Sequence, residues 1–183
     1  MRVFDLVVAC AILALSWPIM LVAALTIKLT SRGPVIYRQE RVGRRGEVFT
    51  LYKFRTMVDG AEDATGPVWS SSHDPRVTTA GYALRSARID ELPQLFNVFR
   101  GDMSLVGPRP ERPFFVDRYK ALQGVRLTVR PGITGLAQIR ASYDLKPEHK
   151  RRYDVLYIRH RSVLLNAYIL LQTIPAVLLR RGW

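Results

Sequence analysis

The chain has 183 residues, which is enough for one domain with its own core. Its formal net charge of +13 favours an anionic partner, and charge alone does not choose among nucleic acid, an acidic membrane and a phosphorylated substrate. The single cysteine, Cys10, excludes an intrachain disulfide and agrees with a reducing, cytosol-facing domain. One cysteine and three histidines give little support to a zinc site.

The first predicted element is a membrane segment. Residues Leu6–Ile27 carry no charge over 22 positions, long enough for a straight helix to cross about 30 Å of hydrocarbon. Ser16, Trp17 and Pro18 interrupt this stretch, and a proline removes a backbone hydrogen bond. Two forms fit: a kinked span, or a helix–break–helix that enters and leaves on one face. Residues 28–56 are strongly basic, so the following domain is expected to be cytoplasmic in both forms.

Two β-strands are predicted next, Val35–Val42 and Glu47–Phe54, because both are rich in β-branched and aromatic residues. The glycines and arginines between them form the turn of a small β-hairpin. Lys53 and Arg55 lie at the end of the second strand. Their side chains are expected to project on the same side of the hairpin, because side chains alternate along a strand. They are either phosphate ligands or surface charges at a strand edge.

The segment Asp59–Asp74 is acidic and rich in small and turn-forming residues. This composition predicts a mobile loop beside the site that could act as a lid. His73, at the end of its serine run, is interpreted as a turn residue.

A pair of adjacent carboxylates, Asp90 and Glu91, follows two arginines, Arg85 and Arg88. The apolar pattern after the pair predicts a helix that begins near Asp90 and ends before Gly101. Asp90 would then lie where unpaired N–H groups and the helix dipole favour a negative charge or a bound phosphate. From these residues alone, ordinary helix capping and a site for phosphoryl chemistry both stay open.

Two further arginines lie in loops that proline restricts. Arg109 stands between Pro108 and Pro110, so it has little backbone freedom to lose on binding. Arg130 precedes Pro131 in a second loop of similar character. Arginine can bind phosphate with two parallel hydrogen bonds. The alternative for both loops is a rigid surface turn.

The C-terminal third predicts helices near a membrane surface. Residues 146–161 place aromatic side chains and many basic ones at helical spacing, which is typical of an interfacial helix or of an ordinary amphipathic surface helix. Residues 162–179 carry no charge, but Asn166 and Pro175 make them a poor membrane span. We therefore expect helical segments that are partly sunk in the interface or packed on the core.

Four segments, in this order, resemble the bacterial sugar transferases, the monotopic phosphoglycosyl transferases. The resemblance favours an α+β, mainly helical fold. It implies a re-entrant membrane helix over residues 1–30, formed as helix–break–helix, and a cytoplasmic or interfacial catalytic domain over residues 31–183 with the small β-hairpin and interfacial amphipathic helices. The segments are GPVIYRQERVGRRGEVFTLYKFRTM, LRSARIDELPQLFNVFRGDMSLVGPRP, VRPGITGLAQIR and YDVLYIRHRS.

The resemblance implies that a phospho-sugar passes from a nucleoside-diphosphate sugar, expected to be a UDP-sugar, to a polyprenyl phosphate in the bacterial cytoplasmic membrane. Such a reaction begins a membrane-linked glycan or exopolysaccharide. Asp90 is expected to attack the β-phosphorus and expel UMP, since an ordinary aspartate has a pKa near 4 and is ionised at neutral pH. Mg²⁺ is the expected cofactor, with Asp90 and Glu91 as ligands and Glu91 as the first choice. The side chains expected to bind substrate are Lys53, Arg55, Arg85, Arg88, Arg109 and Arg130.

Two other functions stay open. A non-catalytic basic scaffold on the membrane would explain the charge but not the Asp-Glu pair. A metal-dependent phosphatase or nuclease would explain the pair but not the membrane segment. Anionic membrane lipids are expected partners, nucleic acid is not, and a homodimer is left open. Asn166 stands where relatives commonly carry an aspartate, which puts a charge-dependent role of that position in doubt.

Overall fold

The computed structural model describes residues 1–63, 66–69, 74–140 and 146–178. Within these ranges the fold is mainly helical with two small two-stranded sheets, as the α+β prediction required. The helices are α1 (Arg2–Thr30), α2 (Thr79–Ser86), α3 (Gln94–Arg100), α4 (Pro113–Arg118), α5 (Leu136–Arg140), α6 (Pro147–His160) and α7 (Val163–Leu178). The strands are β1 (Ile36–Val42), β2 (Val48–Phe54), β3 (Ser104–Val106) and β4 (Gly132–Thr134).

Helix α1 is continuous through Ser16, Trp17 and Pro18, where the sequence predicted a break. A proline removes only its own N–H donor, so the remaining hydrogen bonds keep the helical path. The Ser16 hydroxyl contacts the Met20 sulfur at 3.8 Å. By length and composition α1 could cross a membrane. Its re-entrant path stays a prediction.

One face of α1 packs on the rest of the chain along most of its length. Ala9 belongs to the main core, and Ala23 and Ile27 belong to a smaller cluster beside β2. The opposite face is apolar and exposed, with Leu15 80% and Leu29 83% accessible. The buried positions recur four or seven residues apart, at Asp5, Ala9, Ser16, Ala23 and Ile27.

Polar contacts tie both ends of α1 to the same domain. Near its N-terminus, the buried Asp5 carboxylate accepts a hydrogen bond from the Ser104 hydroxyl at 2.7 Å. Just beyond its C-terminus, the Ser31 hydroxyl accepts a hydrogen bond from Arg55 Nη2 at 2.8 Å. The domain therefore holds the helix at two places that are separated by most of its length.

The predicted β-hairpin is confirmed, with each strand one residue shorter at its start. Strand β1 pairs antiparallel with β2, so that Ile36 lies opposite Phe54 and Val42 lies opposite Val48. Strands β3 and β4 form the second sheet and run parallel. The hairpin carries Lys53 at its open end, and the second sheet leads into the loop that carries Arg109.

The helix after the carboxylates begins later than predicted. Asp90 lies in a short 3-10 turn, Ile89–Glu91, and does not cap an α-helix; α3 begins at Gln94. Pro93 directly precedes Gln94, and at the start of a helix the missing N–H of a proline leaves no hydrogen bond unmade. The predicted stop is correct, since the chain leaves α3 at Gly101 with φ 99°.

The two predicted C-terminal helices are confirmed as α6 and α7. They meet inside the core, where the Tyr157 hydroxyl lies 2.9 Å from Asn166 Oδ1 and 3.0 Å from the Val106 carbonyl. Burial raises the pKa of Tyr157 to about 12, so this hydroxyl stays a donor. Asn166 is 1% exposed, and its neutral amide suits a structural role at that position.

The segment predicted as a mobile lid is described only in part. Residues 64–65 and 70–73, with the serine run and His73, lie outside the described residues. In the described part, Glu62 accepts two hydrogen bonds from Arg112, at 2.7 and 2.9 Å. Trp69 stacks on Phe115 with ring centres 4.3 Å apart. A lid function stays a prediction.

Candidate active site

A cavity of about 710 Å³ lies between the β-hairpin, the turn that carries Asp90, and helices α4 and α6. Small-molecule sites typically have about 300–1,000 Å³, so this one can hold a nucleotide-sized ligand. Its walls combine aromatic side chains with an excess of cationic ones. The aromatic side chains include Tyr37, Trp69 and Phe115, and the cationic ones include Lys53, Arg55, Arg85, Arg88, Arg109 and Arg126.

Asp90 and Glu91 line this cavity, and each is only 6% exposed. Glu91 Oε1 accepts hydrogen bonds from Lys53 Nζ at 2.9 Å and from Arg109 Nη2 at 2.5 Å. Arg88 Nη1 lies 4.0 Å from Glu91 Oε2. Lys53 Nζ is also 3.9 Å from Asp90 Oδ2. Glu91 thus organises three cationic side chains beside Asp90, and Lys53 lies between the two carboxylates.

The surroundings separate the two carboxyl groups in pKa. Burial raises the pKa of Asp90, and Lys53 only partly opposes this. Burial acts in the same direction on Glu91, but Arg109 and Lys53 together outweigh it and hold the pKa of Glu91 well below its usual range. Of the two carboxyl groups, Glu91 is therefore the one that stays ionised. The ordinary pKa assumed for Asp90 from the sequence is wrong, because the sequence does not reveal how deeply the carboxyl is buried.

Neighbouring backbone fixes the loop that carries Arg109. The Gly132 N–H donates to the Pro108 carbonyl at 2.9 Å, which joins this loop to β4. A Cβ atom at Gly132 would lie 2.0 Å from the Gly107 nitrogen, so only glycine allows the two segments to approach. Arg126 Nη2 donates to the Arg109 carbonyl at 3.0 Å. The Arg109 guanidinium is thus displayed from a fixed backbone.

The structure brings the hairpin cations to the same cavity. Lys53 and Arg55 both line it, as the alternation of side chains predicted. Arg55 is 5% exposed, and its Nε and Nη1 have no hydrogen-bond partner among the described residues. Arg85 Nε donates to Thr56 Oγ1 at 2.7 Å, and its side chain also lines the cavity. These arginines can therefore contribute charge and donors to an anionic ligand.

Arg130 is not brought to the cavity. Its Nε donates to the Gly101 carbonyl at 2.8 Å, at the C-terminal end of α3. The loop after Arg130 contributes to the site through the close approach of Gly132, and the guanidinium points to a different part of the fold.

A second buried charge network borders the cavity, and it was not predicted from the sequence. Arg126 and Asp154 pair at 3.0 Å, and each side chain is 3% exposed. Glu111 accepts a hydrogen bond from Lys150 Nζ at 3.1 Å, and Arg41 Nη1 lies 3.9 Å from Glu111. Two signals were available: Arg126 is a lone charge among apolar residues, and Asp154 is an acid four positions after Lys150 in a basic helix.

The Asp90 and Glu91 carboxylates suit a metal cation whose remaining coordination positions are filled by phosphate and water oxygens. Mg²⁺ usually binds through one or two carboxylates together with substrate phosphates. Asp90 and Glu91 supply two, and the described residues contain no group of three or more potential metal-binding side chains. Both Glu91 oxygens already accept hydrogen bonds from Lys53 or Arg109, whereas Asp90 is 3.9 Å from Lys53. Asp90 is therefore the more available ligand, although Glu91 was the first choice from the sequence.

Residues 1–180 match the family model for bacterial sugar transferases, and the chain belongs to that family. It is 42% identical, over 97% of its own length, to the UDP-N-acetylgalactosamine-undecaprenyl-phosphate N-acetylgalactosaminephosphotransferase of Aeromonas hydrophila, of which it covers 43%. It is 44% identical, over 97% of its length, to the UDP-glucose:undecaprenyl-phosphate glucose-1-phosphate transferase of Caulobacter vibrioides, of which it covers 69%. It is 37% identical, over 99% of its length, to the exopolysaccharide production protein ExoY of Sinorhizobium fredii, of which it covers 86%. The chain thus spans less than half of the Aeromonas relative.

Proposed function

We propose that this chain transfers a phospho-sugar from a UDP-sugar to a polyprenyl phosphate. The observation that carries this proposal is the buried Asp90–Glu91 pair, surrounded by cationic side chains in a nucleotide-sized cavity. The relatives in Aeromonas and Caulobacter, named for UDP-sugar donors and an undecaprenyl phosphate acceptor, support the same substrate classes. The likeness to ExoY supports a place in exopolysaccharide synthesis.

In the first step, a carboxylate oxygen of Asp90 attacks the β-phosphorus of the donor. A phosphorus–oxygen bond to Asp90 forms, the bond from that phosphorus to the bridging oxygen breaks, and UMP leaves with the bridging oxygen. The product is an acyl phosphate that carries the sugar. Lys53 and Arg109 lie beside the carboxylates and offset the charge of the transferring group, while Arg85 and Arg55 contribute positive charge for the donor.

Glu91 acts as a positioning residue in this scheme. Its permanent negative charge holds Lys53 and Arg109 in place at 2.9 and 2.5 Å. Lys53 in turn favours the ionised form of Asp90, which is the nucleophilic form. Mg²⁺, held by Asp90 and Glu91, would supply further neutralisation of the diphosphate charge.

In the second step, a phosphate oxygen of the lipid attacks the same phosphorus. The bond to Asp90 breaks, the carboxylate is regenerated, and the sugar is left on a lipid diphosphate. One phosphoric anhydride in the donor is replaced by another in the product, so the overall reaction requires no ATP.

The proposed site of action is the cytoplasmic face of the bacterial inner membrane. A straight helix of 29 residues is about 44 Å long, so a perpendicular span would put its ends on opposite sides of the membrane. A domain on one side could not then hold both Asp5 and Ser31, as this domain does. This supports a re-entrant or interfacial position of α1. The exposed basic residues Arg151, Arg152 and Arg159 suit contact with anionic lipids.

The experiment is a mass measurement of the protein after incubation with a UDP-sugar and no acceptor. We expect a mass increase of one phospho-sugar, mapped to Asp90, with UMP released in equal amount. Asp90→Asn should abolish both, whereas Asp117→Asn, an exposed aspartate on α4, should leave both unchanged.

Adding a polyprenyl phosphate should then discharge the intermediate and sustain UMP release. Near-wild-type transfer by Asp90→Asn would show that the nucleophile is assigned wrongly. Steady hydrolysis without acceptor would favour a phosphatase, and no UMP release under any condition would favour a scaffold.

A further inference from the structure

A second cavity, of about 170 Å³, lies at the Asp90–Glu91 turn. It adjoins the cavity of about 710 Å³ that is proposed to hold the UDP-sugar, here named the donor cavity. Arg88, Glu91 and Gln138 line both cavities, so the two spaces meet at these side chains. Away from this junction, the walls of the second cavity are almost entirely apolar. They come from α1, α3, α5 and α7, and include Ile12, Leu95, Ile139, Leu170 and Ala176.

We propose that this second cavity, the apolar cleft, binds the isoprene units next to the phosphate of the lipid acceptor. The inference rests on the proposed function and adds the place where the acceptor enters. The cleft is smaller than the roughly 300 Å³ at the lower end of ordinary ligand sites, so it takes part of a long lipid and not the whole molecule.

The charges at the junction fit this ligand. Arg88 and Glu91 are the charged residues among the described residues that line the cleft, and both also border the donor cavity. A lipid phosphate beside Arg88 would therefore face the donor cavity while its hydrocarbon chain lay in the cleft. Arg88 has φ 55°, a left-handed conformation that residues with a side chain rarely adopt, so the surrounding structure holds it in an unusual position.

Gln138 Oε1 has no hydrogen-bond partner among the described residues, but Gln138 lies at the junction with the larger cavity; the polar groups deeper in the cleft do not call for a polar ligand. The Thr134 and Thr173 hydroxyls lie 2.8 Å apart and hydrogen-bond to each other. Thr173 also lies 2.7 Å from the Ile169 carbonyl, within the same helix. Since these hydroxyls are already satisfied, the walls offer mainly hydrocarbon contact, which suits an isoprenoid chain.

The helices that form the cleft indicate a lipid and not a soluble apolar molecule. Helices α1 and α7 both contribute to its walls. Their outer faces expose large apolar side chains, with Leu15 80%, Leu164 82%, Leu171 65% and Ile174 58% accessible. A cleft between two such helices is reached most directly from the hydrocarbon into which those faces would insert.

The test is a tryptophan that fills the cleft, with a matched tryptophan outside it. Ala176→Trp places the ring in the cleft, and Ile174→Trp places it on the exposed face of the same helix. In detergent with undecaprenyl phosphate, Ala176→Trp should raise the acceptor KM at least tenfold more than it changes the donor KM. Ile174→Trp should leave both KM values as in the wild type.

Equal acceptor KM values for the two variants would overturn the cleft proposal. If Ala176→Trp fails to fold, Leu170→Ala decides: widening the cleft should raise the acceptor KM by at least threefold, and an unchanged value would overturn the proposal. The proposed function fails separately, since wild-type protein that forms no phospho-sugar adduct from the donor alone would refute that function whatever the cleft binds.

Discussion

The position of Lys53 between the two carboxylates predicts that its charge controls the acidic side of the pH profile. Its Nζ lies 3.9 Å from Asp90 Oδ2 and 2.9 Å from Glu91 Oε1. Two unit charges about 4 Å apart interact by roughly 1 kcal/mol in bulk water and by roughly 4 kcal/mol at an effective dielectric constant of about 20. Lys53→Met therefore removes between roughly 1 and 4 kcal/mol of support for the ionised form of Asp90.

The direction of the effect follows from the pKa of Asp90. Burial already raises this pKa, and Lys53 opposes the rise. Without Lys53 the pKa of Asp90 moves further up, so a smaller fraction of the carboxyl is ionised at any acidic pH. We expect the acidic limb of the profile to shift to higher pH, measured as first-turnover UMP release without acceptor.

Lys53→Arg is the matched control, because it keeps the positive charge and should keep the acidic limb near its wild-type position. A Lys53→Met profile that is lowered equally at every pH, with its acidic limb unmoved, would refute this reasoning. Lys53 would then act on the substrate phosphates alone.

Two further predictions concern the arginines and the membrane segment. Arg85→Ala and Arg109→Ala should each lower the donor kcat/KM by roughly 10- to 150-fold, because a hydrogen bond to a charged group is worth about 1.5–3 kcal/mol. Arg130→Ala should instead lower the melting temperature and change kcat/KM by less than about threefold, because its guanidinium contacts a carbonyl outside the cavity. Losses below about threefold for both Arg85→Ala and Arg109→Ala would place the phosphates elsewhere. Val3→Cys in a Cys10→Ala background should react with an impermeant thiol reagent from the cytoplasmic side, and reaction only from the far side would show that α1 spans the membrane.

Local patterns were enough to predict several elements of the fold. Enrichment in β-branched and aromatic residues, with a glycine-containing turn between the two stretches, predicted the hairpin to within one residue, because these residues suit a pleated, half-buried surface. Gly101 marked the end of α3, because the left-handed φ at that position favours glycine. The adjacent Asp90 and Glu91, preceded by Arg85 and Arg88, indicated the candidate site.

Other features depended on residues that are far apart in the chain. Asp90 and Glu91 are neighbours in sequence, yet burial and the approach of Lys53 and Arg109 set their pKa values in opposite directions. Arg109 and Arg130 stand in similar proline-containing loops, and only Arg109 faces the cavity. A local pattern can show that an arginine is displayed rigidly, but the packing of distant segments decides what it faces.

The sequence by itself thus determined the elements and the type of chemistry, since propensity, turn geometry and adjacent charges are local properties. Only the tertiary structure decided the buried Arg126–Asp154 pair and the apolar cleft beside Arg88. Burial and long-range contact created these features. They require groups separated by up to about 160 positions, such as Ile12 and Ala176, to come together in space.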